Sequence, residues 1–162
     1  MRKRRMIAGA VGVTIVAATA LRGAVRRFEI KEDSMSPTLE DGDWVIAKRA
    51  SGQPERGDIV VFPDPARSEK HLVKRVIGLG WERVGIDTGR VTINGALLAD
   101  RWAHGITDPS GQWTVPEGHV WVLGDNRGAS TSDSRTVGPI PLDDIQWTIV
   151  GRYWPTSRAG SV

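Results

Sequence analysis

Apolar and polar residues alternate in short stretches along most of this chain, which is the pattern of half-buried β-strands. The alternation is clear at residues 28–31, 44–47 and 145–150. Residues 58–62 are instead dominated by an apolar run, as expected for a strand that is buried on both faces. Each of these segments is therefore predicted to be a strand.

Turn signals separate the predicted strands. Asn94-Gly95 lies between apolar runs in residues 91–98, and this dipeptide is the strongest short-range hairpin signal. A Pro-Glu-Gly turn at residues 116–118 precedes another apolar strand at residues 120–123. Residues 100–112 show no periodicity and are expected to form a long surface loop. No repeat or long amphipathic helix follows residue 27, so the body is predicted to be mainly β.

The N-terminal segment has a different pattern. Residues 6–21 carry no charge and are almost entirely apolar, and a basic run at residues 2–5 precedes them. Such a segment is either a short membrane-spanning helix or the apolar part of a cleavable signal peptide, for which Ala18-Thr19-Ala20 would be a suitable site. We expect an uncleaved anchor over residues 1–27 and an extracytoplasmic β-rich domain over residues 28–162.

The charge distribution supports this division. Seven of the 22 basic residues and none of the 19 acidic residues fall within residues 1–27, so the remainder has 15 basic against 19 acidic residues. The net charge of +3 is therefore a property of the N-terminal segment, and nothing on the body indicates a nucleic-acid partner. The chain has no cysteine, which excludes disulfides, thiolate metal sites and a cysteine nucleophile.

Two residues stand out as candidates for chemistry. Ser34 lies on a short loop between two predicted strands, although serine and proline are also ordinary turn residues. Lys74 alternates with apolar residues in the predicted strand 71–77. Burial would lower the pKa of such a lysine and make its neutral amine a usable general base. The alternative is a lysine whose stem packs while its ammonium group reaches water.

Other catalytic groups fit the pattern less well. A serine nucleophile needs a base, and a Ser-His-Asp triad is open on residue counts because His71, His104 and His119 are present. His104 lies in the unpatterned segment and His119 in a turn, where solvated side chains are common. No histidine has a metal-binding spacing, so no metal site or other cofactor is predicted. The Ser-Lys pair is the better hypothesis.

A third polar stretch, residues 124–135, follows a predicted strand directly. It contains two acidic residues and two arginines, which can form ion pairs and make the loop rigid. The same composition also describes an ordinary polar loop.

Together these stretches resemble type I signal peptidases, the membrane-bound Ser-Lys endopeptidases that remove signal peptides from exported preproteins. The resemblance runs in the family's order from about residue 28 to residue 154. The matching motifs are Asp-Ser-Met-Ser-Pro-Thr-Leu at 33–39 with Gly42-Asp43, Arg-Gly-Asp-Ile-Val-Val-Phe at 56–62, Lys-Arg-Val-Ile-Gly-Leu at 74–79, and Gly-Asp-Asn-Arg at 124–127 with Asp133-Ser134-Arg135. Four ordered motifs are far more specific than any one of them.

The resemblance implies a role for each matching residue. Ser34 would be the nucleophile, with its backbone N–H donating to the oxyanion, and Lys74 would be the general base. The implied bracing pairs are Asp125 with Arg75 and Asp133 with Arg135. The hydroxyl that orients Lys74 maps to Ser130, Thr131 or Ser132, and Ser130 is preferred. Pockets for small substrate residues at positions −1 and −3 would be lined by Ile30, Met35, Leu39 and Val73.

Three positions depart from the family pattern. Many relatives place a hydroxyl two residues before the nucleophile as a second oxyanion donor, whereas this chain has Glu32. Gly80-Trp81-Glu82 replaces the usual Pro-Gly-Asp, so that turn should be reshaped. The stretch between Arg127 and Asp133 is one residue longer than usual, which is why the assignment of the orienting hydroxyl depends on the direction of counting.

The implied fold is the signal-peptidase and LexA-like type, a coiled antiparallel β-sheet catalytic domain with one N-terminal transmembrane helix. The implied partners are preprotein signal peptides cut after Ala-x-Ala and the lipid bilayer, at a cytoplasmic-type membrane with the catalytic domain outside. Two alternatives remain at this point. One is a LexA-type self-processing or single-substrate protease, and the other is a catalytically silent, anchored peptide-binding β-domain. The pattern gives no indication of oligomeric state.

Overall fold

The structure is a computed structural model that describes residues 23–162, except for the side chain of Ser68. Most of the predicted anchor therefore lies outside the described residues. Between residues 23 and 162, no helix is both long enough and apolar enough to cross a membrane.

The described part of the chain is built almost entirely of strands. Gly23 and Ala24, directly before β1, are α-helical. A single α-helical turn, α1, lies at Ser134–Val137, and two short 3-10 helices lie at Leu142–Asp144 and Thr156–Arg158. The strands are β1 Val25–Glu29, β2 Trp44–Arg49, β3 Ile59–Asp64, β4 Arg67–Leu79, β5 Arg83–Asp87, β6 Arg90–Ile93, β7 Ala96–Leu97, β8 Gly111–Thr114, β9 His119–Leu123, β10 Ile140–Pro141 and β11 Trp147–Trp154.

The strands form two antiparallel sheets. The larger sheet has the order β1-β2-β11-β3-β4-β9-β10, and the smaller has the order β7-β6-β5-β8. The long strand β4 pairs with β3 up to Arg75 and with β9 from Arg75 onward. The prediction of a mainly β, antiparallel body is confirmed. The domain boundary placed after residue 27 stays a prediction, although β1 begins three residues before it.

The core consists of three apolar clusters, and β3 explains why two of them are adjacent. Ile59 and Val61 pack in one cluster, while Val60 and Phe62 point into a second on the other face. All four side chains are at most 2 % exposed, so the apolar run is a strand buried on both sides, as its pattern predicted. A third cluster, which includes Trp121, joins the smaller sheet to β4 and β9.

The predicted hairpin is also confirmed. Strands β6 and β7 pair through Thr92 and Ile93, and the turn between them is Asn94-Gly95. Both turn residues have a positive φ, 52° and 84° respectively. That is the backbone of the tight hairpin turns in which an Asn-Gly pair is preferred.

The segment predicted to be a long surface loop, residues 100–112, is irregular but folds back onto the core. Thr107 is only 1 % exposed, and its hydroxyl accepts a hydrogen bond from Arg127 at 2.7 Å. The Trp102 ring lies 4.9 Å from the Arg75 guanidinium carbon. Eight of the thirteen residues are exposed and only Thr107 is buried, so the prediction of a surface loop is confirmed for residues 100–110, whereas Gly111 and Gln112 begin β8.

The reshaped turn after β4 has its own supporting contacts. The Glu82 carboxylate accepts a hydrogen bond from the Leu79 N–H at 2.7 Å and pairs with Arg56 at 2.6 Å. Arg56 in turn donates to the carbonyl of Ile77. Glu82 therefore joins the end of β4 to the segment that precedes β3, while Trp81 beside it is 73 % exposed.

We expect Glu82→Ala to lower the free energy of unfolding by about 1–3 kcal/mol, because it leaves the Leu79 N–H and the Arg56 guanidinium without their acceptor. Urea unfolding of the variant beside the parent chain measures the loss. Glu117→Ala, at an exposed turn position, is the control and should change stability by less than about 0.5 kcal/mol. Equal effects of the two substitutions would contradict this role for Glu82.

Candidate active site

Ser34 lies at the tip of the loop between β1 and β2, residues 32–43, which we call the Ser34 loop. Hydrogen bonds from Ile30 N–H to Asp43 O at 2.8 Å and from Gly42 N–H to Ile30 O at 2.9 Å close its base. Met35 and Leu39, at most 1 % exposed, anchor the loop in the core. Ser34 itself stays half-buried, so its hydroxyl is presented by an anchored loop.

Lys74 meets this hydroxyl from β4. It is 3 % exposed, and its Nζ donates to Ser34 Oγ at 2.7 Å. Burial lowers the pKa of Lys74 to about 8; the charges of Asp133, Glu32 and Asp125 oppose that shift, and that of Arg135 adds to it. Because the amine is largely desolvated, a neutral form able to accept the serine proton is accessible near neutral pH.

The residue after Lys74 forms the most buried ion pair of the site. Arg75 donates to both carboxylate oxygens of Asp125, at 2.8 and 2.7 Å, and the side chains are 2 % and 1 % exposed. Arg75 also donates to the Gly57 carbonyl at 2.7 Å. The pair fixes the end of β9 against β4, so the backbone on either side of Lys74 has little freedom.

Asp133 organises the polar stretch that follows β9. Its carboxylate accepts hydrogen bonds from Ser130 Oγ at 2.6 Å, Gly124 N–H at 3.2 Å and Arg135 Nε at 2.9 Å. Burial by itself would raise the pKa of Asp133, but the hydrogen bonds from Arg135 and Ser130 outweigh it and hold that pKa below its usual value. Asp133 is therefore an anion near neutral pH, and its charge favours a protonated Lys74.

The hydroxyls near Asp133 differ in their placement. Ser130 is 5 % exposed and points to Asp133, whereas Thr131 is exposed and Ser132 is half-buried. Arg135 donates to the Ser130 carbonyl at 2.7 Å as well. Of these three residues, Ser130 is therefore the one whose hydroxyl is buried against Asp133.

Two residues of the site escaped sequence reasoning. Asn126 N–H donates to the Ser34 carbonyl at 3.0 Å. At Gly124, a Cβ would lie 2.5 Å from the Ser34 carbonyl oxygen and 2.3 Å from Ser130 Oγ, so no side chain fits there. The only sequence signal for either was membership in the Gly-Asp-Asn-Arg motif, because contacts across the fold leave no local pattern.

The backbone N–H of Ser34 is a free donor. Between residues 23 and 162, no protein group accepts a hydrogen bond from the Ser34 N–H. Glu32, two positions earlier, has a positive φ of 72°, and its N–H donates to Asp41 Oδ1 at 3.1 Å. Its exposed side chain supplies no donor when ionised.

The residues expected to line the pocket belong to one apolar cluster. Ile30, Met35 and Leu39 are buried members, and Val73 packs against them while staying half-buried. Leu39 has no exposed surface, so it packs behind the other three and cannot itself contact a bound peptide. Beside the cluster, no described strand pairs with β4 before Arg75 on the side that β9 later occupies, which leaves a strand edge available.

Within residues 23–162, no histidine side chain is hydrogen-bonded to Ser34 or Lys74. His71 contacts Gln146 at 3.1 Å, His119 contacts the carbonyl of Glu117 at 2.8 Å, and His104 is exposed. No group of three or more His, Asp or Glu side chains in the described part of the chain is arranged to hold a metal ion. A hydroxyl, an adjacent desolvated amine and a free N–H suit acyl transfer through a serine nucleophile.

Comparison with known proteins gives a consistent result. The family model described as "Signal peptidase, peptidase S26" matches residues 3–154. The chain is 37 % identical over 166 residues to signal peptidase I of Leptolyngbya laminosa, covering 94 % of this chain and 80 % of that one. It is 33 % identical over 127 residues to mitochondrial inner membrane protease subunit 1 of Schizosaccharomyces pombe, covering 75 % of this chain and 69 % of that one.

A solved structure is similar as well. The crystal structure of a signal peptidase I from Enterococcus faecalis superimposes with a TM-score of 0.52 and 29 % sequence identity. The match covers 59 % of this chain and 96 % of that one.

We expect Gly124→Ala to disrupt the site, because the new methyl group would collide with the Ser34 carbonyl and with Ser130. The rate at which a serine-reactive acyl probe labels Ser34 should fall by at least about 10-fold, given what small misplacements of reacting groups cost. Gly128→Ala is the matched control, because nothing lies within 4 Å of a Cβ built at Gly128. Undiminished labelling of the Gly124→Ala variant would contradict the close approach.

Proposed function

The chain belongs to the signal peptidase I family, peptidase S26, and we propose that Ser34 and Lys74 form the dyad with which it cuts. It is a serine peptidase that cleaves signal peptides from preproteins. The observation that carries the proposed dyad is the 2.7 Å contact between Lys74 Nζ and Ser34 Oγ, in which the amine is almost fully buried. The family assignment favours this function over the two alternatives from the sequence, a LexA-type self-processing or single-substrate protease and a catalytically silent peptide-binding domain.

The geometry supports a simple order of proton transfers. Neutral Lys74 takes the proton of Ser34 Oγ while the oxygen attacks the carbonyl carbon of the scissile peptide bond. The resulting lysine ammonium then protonates the departing amine, which leaves an ester between Ser34 and the signal peptide. Water, deprotonated by the same amine, hydrolyses this ester and restores both groups.

The oxyanion of the tetrahedral intermediate would bind the free Ser34 N–H. One such donor is typically worth about 3 kcal/mol in the transition state. Glu32 occupies the position where many relatives carry a second donor, and an ionised carboxylate there cannot donate. A backbone group or a water molecule must fill that place, or the barrier is higher than in those relatives.

The polar residues around the dyad have supporting roles in this proposal. Ser130, held by Asp133, would orient the Lys74 amine, and Arg135 braces Asp133. The buried pair of Arg75 and Asp125 fixes the strand next to Lys74. Each group acts by limiting the positions that Lys74 and Ser34 can take.

Substrate binding would use the free edge of β4. An extended signal peptide can add to that edge through main-chain hydrogen bonds, which is a common mode of peptide recognition. Small residues at positions −1 and −3 would then face the pocket formed by Ile30, Met35 and Val73, with Leu39 behind it. Selectivity for Ala-x-Ala follows from the size of such a pocket.

We also propose that the protein is anchored in a membrane by its N-terminal segment. The apolar segment within residues 6–21 would anchor the chain in a membrane of the bacterial cytoplasmic type, with the catalytic domain on its outer side. The uncharged run between two basic clusters supports this. The Schizosaccharomyces pombe relative is a mitochondrial inner membrane protease subunit, which agrees with a membrane setting.

The dyad is tested with a purified preprotein that carries an Ala-x-Ala junction. We expect the parent chain to cut after the second alanine, as shown by the mass of the new N-terminus, and both Ser34→Ala and Lys74→Ala to lose at least about 10³-fold in rate. Ser51→Ala, at an exposed position outside the site, serves as the matched serine control. Cleavage at full rate by Lys74→Ala would rule out the dyad.

The pH dependence gives an independent test. Because the neutral amine is the active form, kcat/KM should rise with pH and level off above the Lys74 pKa of about 8. The Glu32 carboxylate favours the charged amine, so Glu32→Gln should move the midpoint to lower pH. A pH profile whose midpoint stays fixed in Glu32→Gln would contradict the electrostatic contact.

A further inference from the structure

Two arginines that follow one another closely in the chain donate to main-chain carbonyls of the Ser34 loop. Arg152, near the end of β11, donates through Nη1 to the Thr38 carbonyl at 2.6 Å. Arg158, in the second 3-10 helix, donates through Nη2 to the Pro37 carbonyl at 3.1 Å. These carbonyls lie only three and four residues after Ser34.

The arginines are themselves held in place. Arg152 Nε donates to the Arg158 carbonyl at 2.6 Å. The backbone of Arg152 exchanges two hydrogen bonds with Gly160, at 2.8 and 2.9 Å. The segment that carries Arg158 is thus fixed to β11, and β11 is an inner strand of the larger sheet.

Asp43 connects this segment to the base of the loop. It is 2 % exposed, and its carboxylate accepts from Arg152 at 3.1 Å and from the Glu40 N–H at 2.9 Å. Arg158 also pairs with Asp43 at 3.5 Å and with Glu40. The exposed pair with Glu40 contributes little by itself, so the two arginines act on the loop mainly through the carbonyl contacts and through Asp43.

We propose that Arg152 and Arg158 are positioning residues, which hold the Ser34 loop where Ser34 Oγ is within hydrogen-bond distance of Lys74 Nζ. The inference rests on the proposed role of Ser34 as the nucleophile. Neither arginine touches Ser34, Lys74 or the pocket in the described contacts. Their effect passes through the backbone of residues 37–43. Misplacing a reacting group by about 1 Å can cost on the order of 100-fold in rate.

The test uses Arg158→Met, which keeps an unbranched apolar stem and removes the donors, and Arg158→Lys, which keeps the charge and one donor nitrogen. Arg90→Met, at an exposed position on the smaller sheet, is the matched control. For each variant, a serine-reactive acyl probe gives two quantities, namely the fraction of chains labelled at Ser34 and the rate constant of labelling. Cleavage of the Ala-x-Ala preprotein gives kcat and KM.

We expect Arg158→Met to lower both the rate constant of labelling and kcat by about 10-fold or more, where kcat is calculated from the concentration of chains that can be labelled at Ser34. KM should stay within about twofold of the parent value. Arg158→Lys should restore part of the loss, and Arg90→Met should match the parent. A purely structural role would instead reduce the labelled fraction and leave the rate constant per site intact. That result, or a parent-like rate constant in Arg158→Met, would overturn the inference.

Two further comparisons keep the test decisive. If Arg158→Met does not fold, Arg152→Lys, which retains the charge and one donor but not the forked contacts, carries the same measurement with the same expected loss. Ser34→Ala and Lys74→Ala are measured beside these variants. Full activity of Lys74→Ala would refute the dyad, whereas inactive dyad variants with a parent-like Arg158→Met would refute only the role of the arginines.

Discussion

The site depends on one costly arrangement, the burial of the Lys74 amine against a serine hydroxyl. A lysine that is 3 % exposed loses most of its hydration, so its neutral form becomes accessible and can act as a base. The same burial removes the water that would otherwise compete for the amine. The contact between Lys74 and Ser34 is therefore a structural constraint and, in the proposed dyad, the source of reactivity.

The fold places that lysine where a long strand changes partners. On one side, strand β4 has no partner in the described part of the chain before Arg75 and pairs with β9 from Arg75 onward. Lys74 therefore lies at the last unpaired position on that side before β9 begins. In the proposed function, a substrate strand approaches Lys74 along the unpaired part of β4. The Arg75–Asp125 pair and the cluster around Asp133 enclose Lys74 on the side of β9. The anionic Asp133 opposes the effect of burial, and the balance leaves the pKa of Lys74 at about 8.

Ser34, the proposed nucleophile, needs equal precision, and the loop that carries it is held from two directions. Asn126 and the side-chain-free Gly124 meet the Ser34 carbonyl at the end of β9. Arg152 and Arg158 hold the carbonyls on the other side of the loop. Segments far apart in the chain therefore converge on a short loop that could not keep this geometry by its own turns.

The sequence by itself determined the class of fold, the Asn94-Gly95 hairpin, the doubly buried strand and the pair of residues to test, because apolar periods, turn residues and ordered motifs are local signals. It did not reveal the burial of Thr107, the close approach at Gly124 or the contacts of Arg152 and Arg158 with the Ser34 loop. Those features consist of hydrogen bonds and van der Waals contacts between residues that are distant in the chain. Only the tertiary structure brings such groups together, so no local pattern records them.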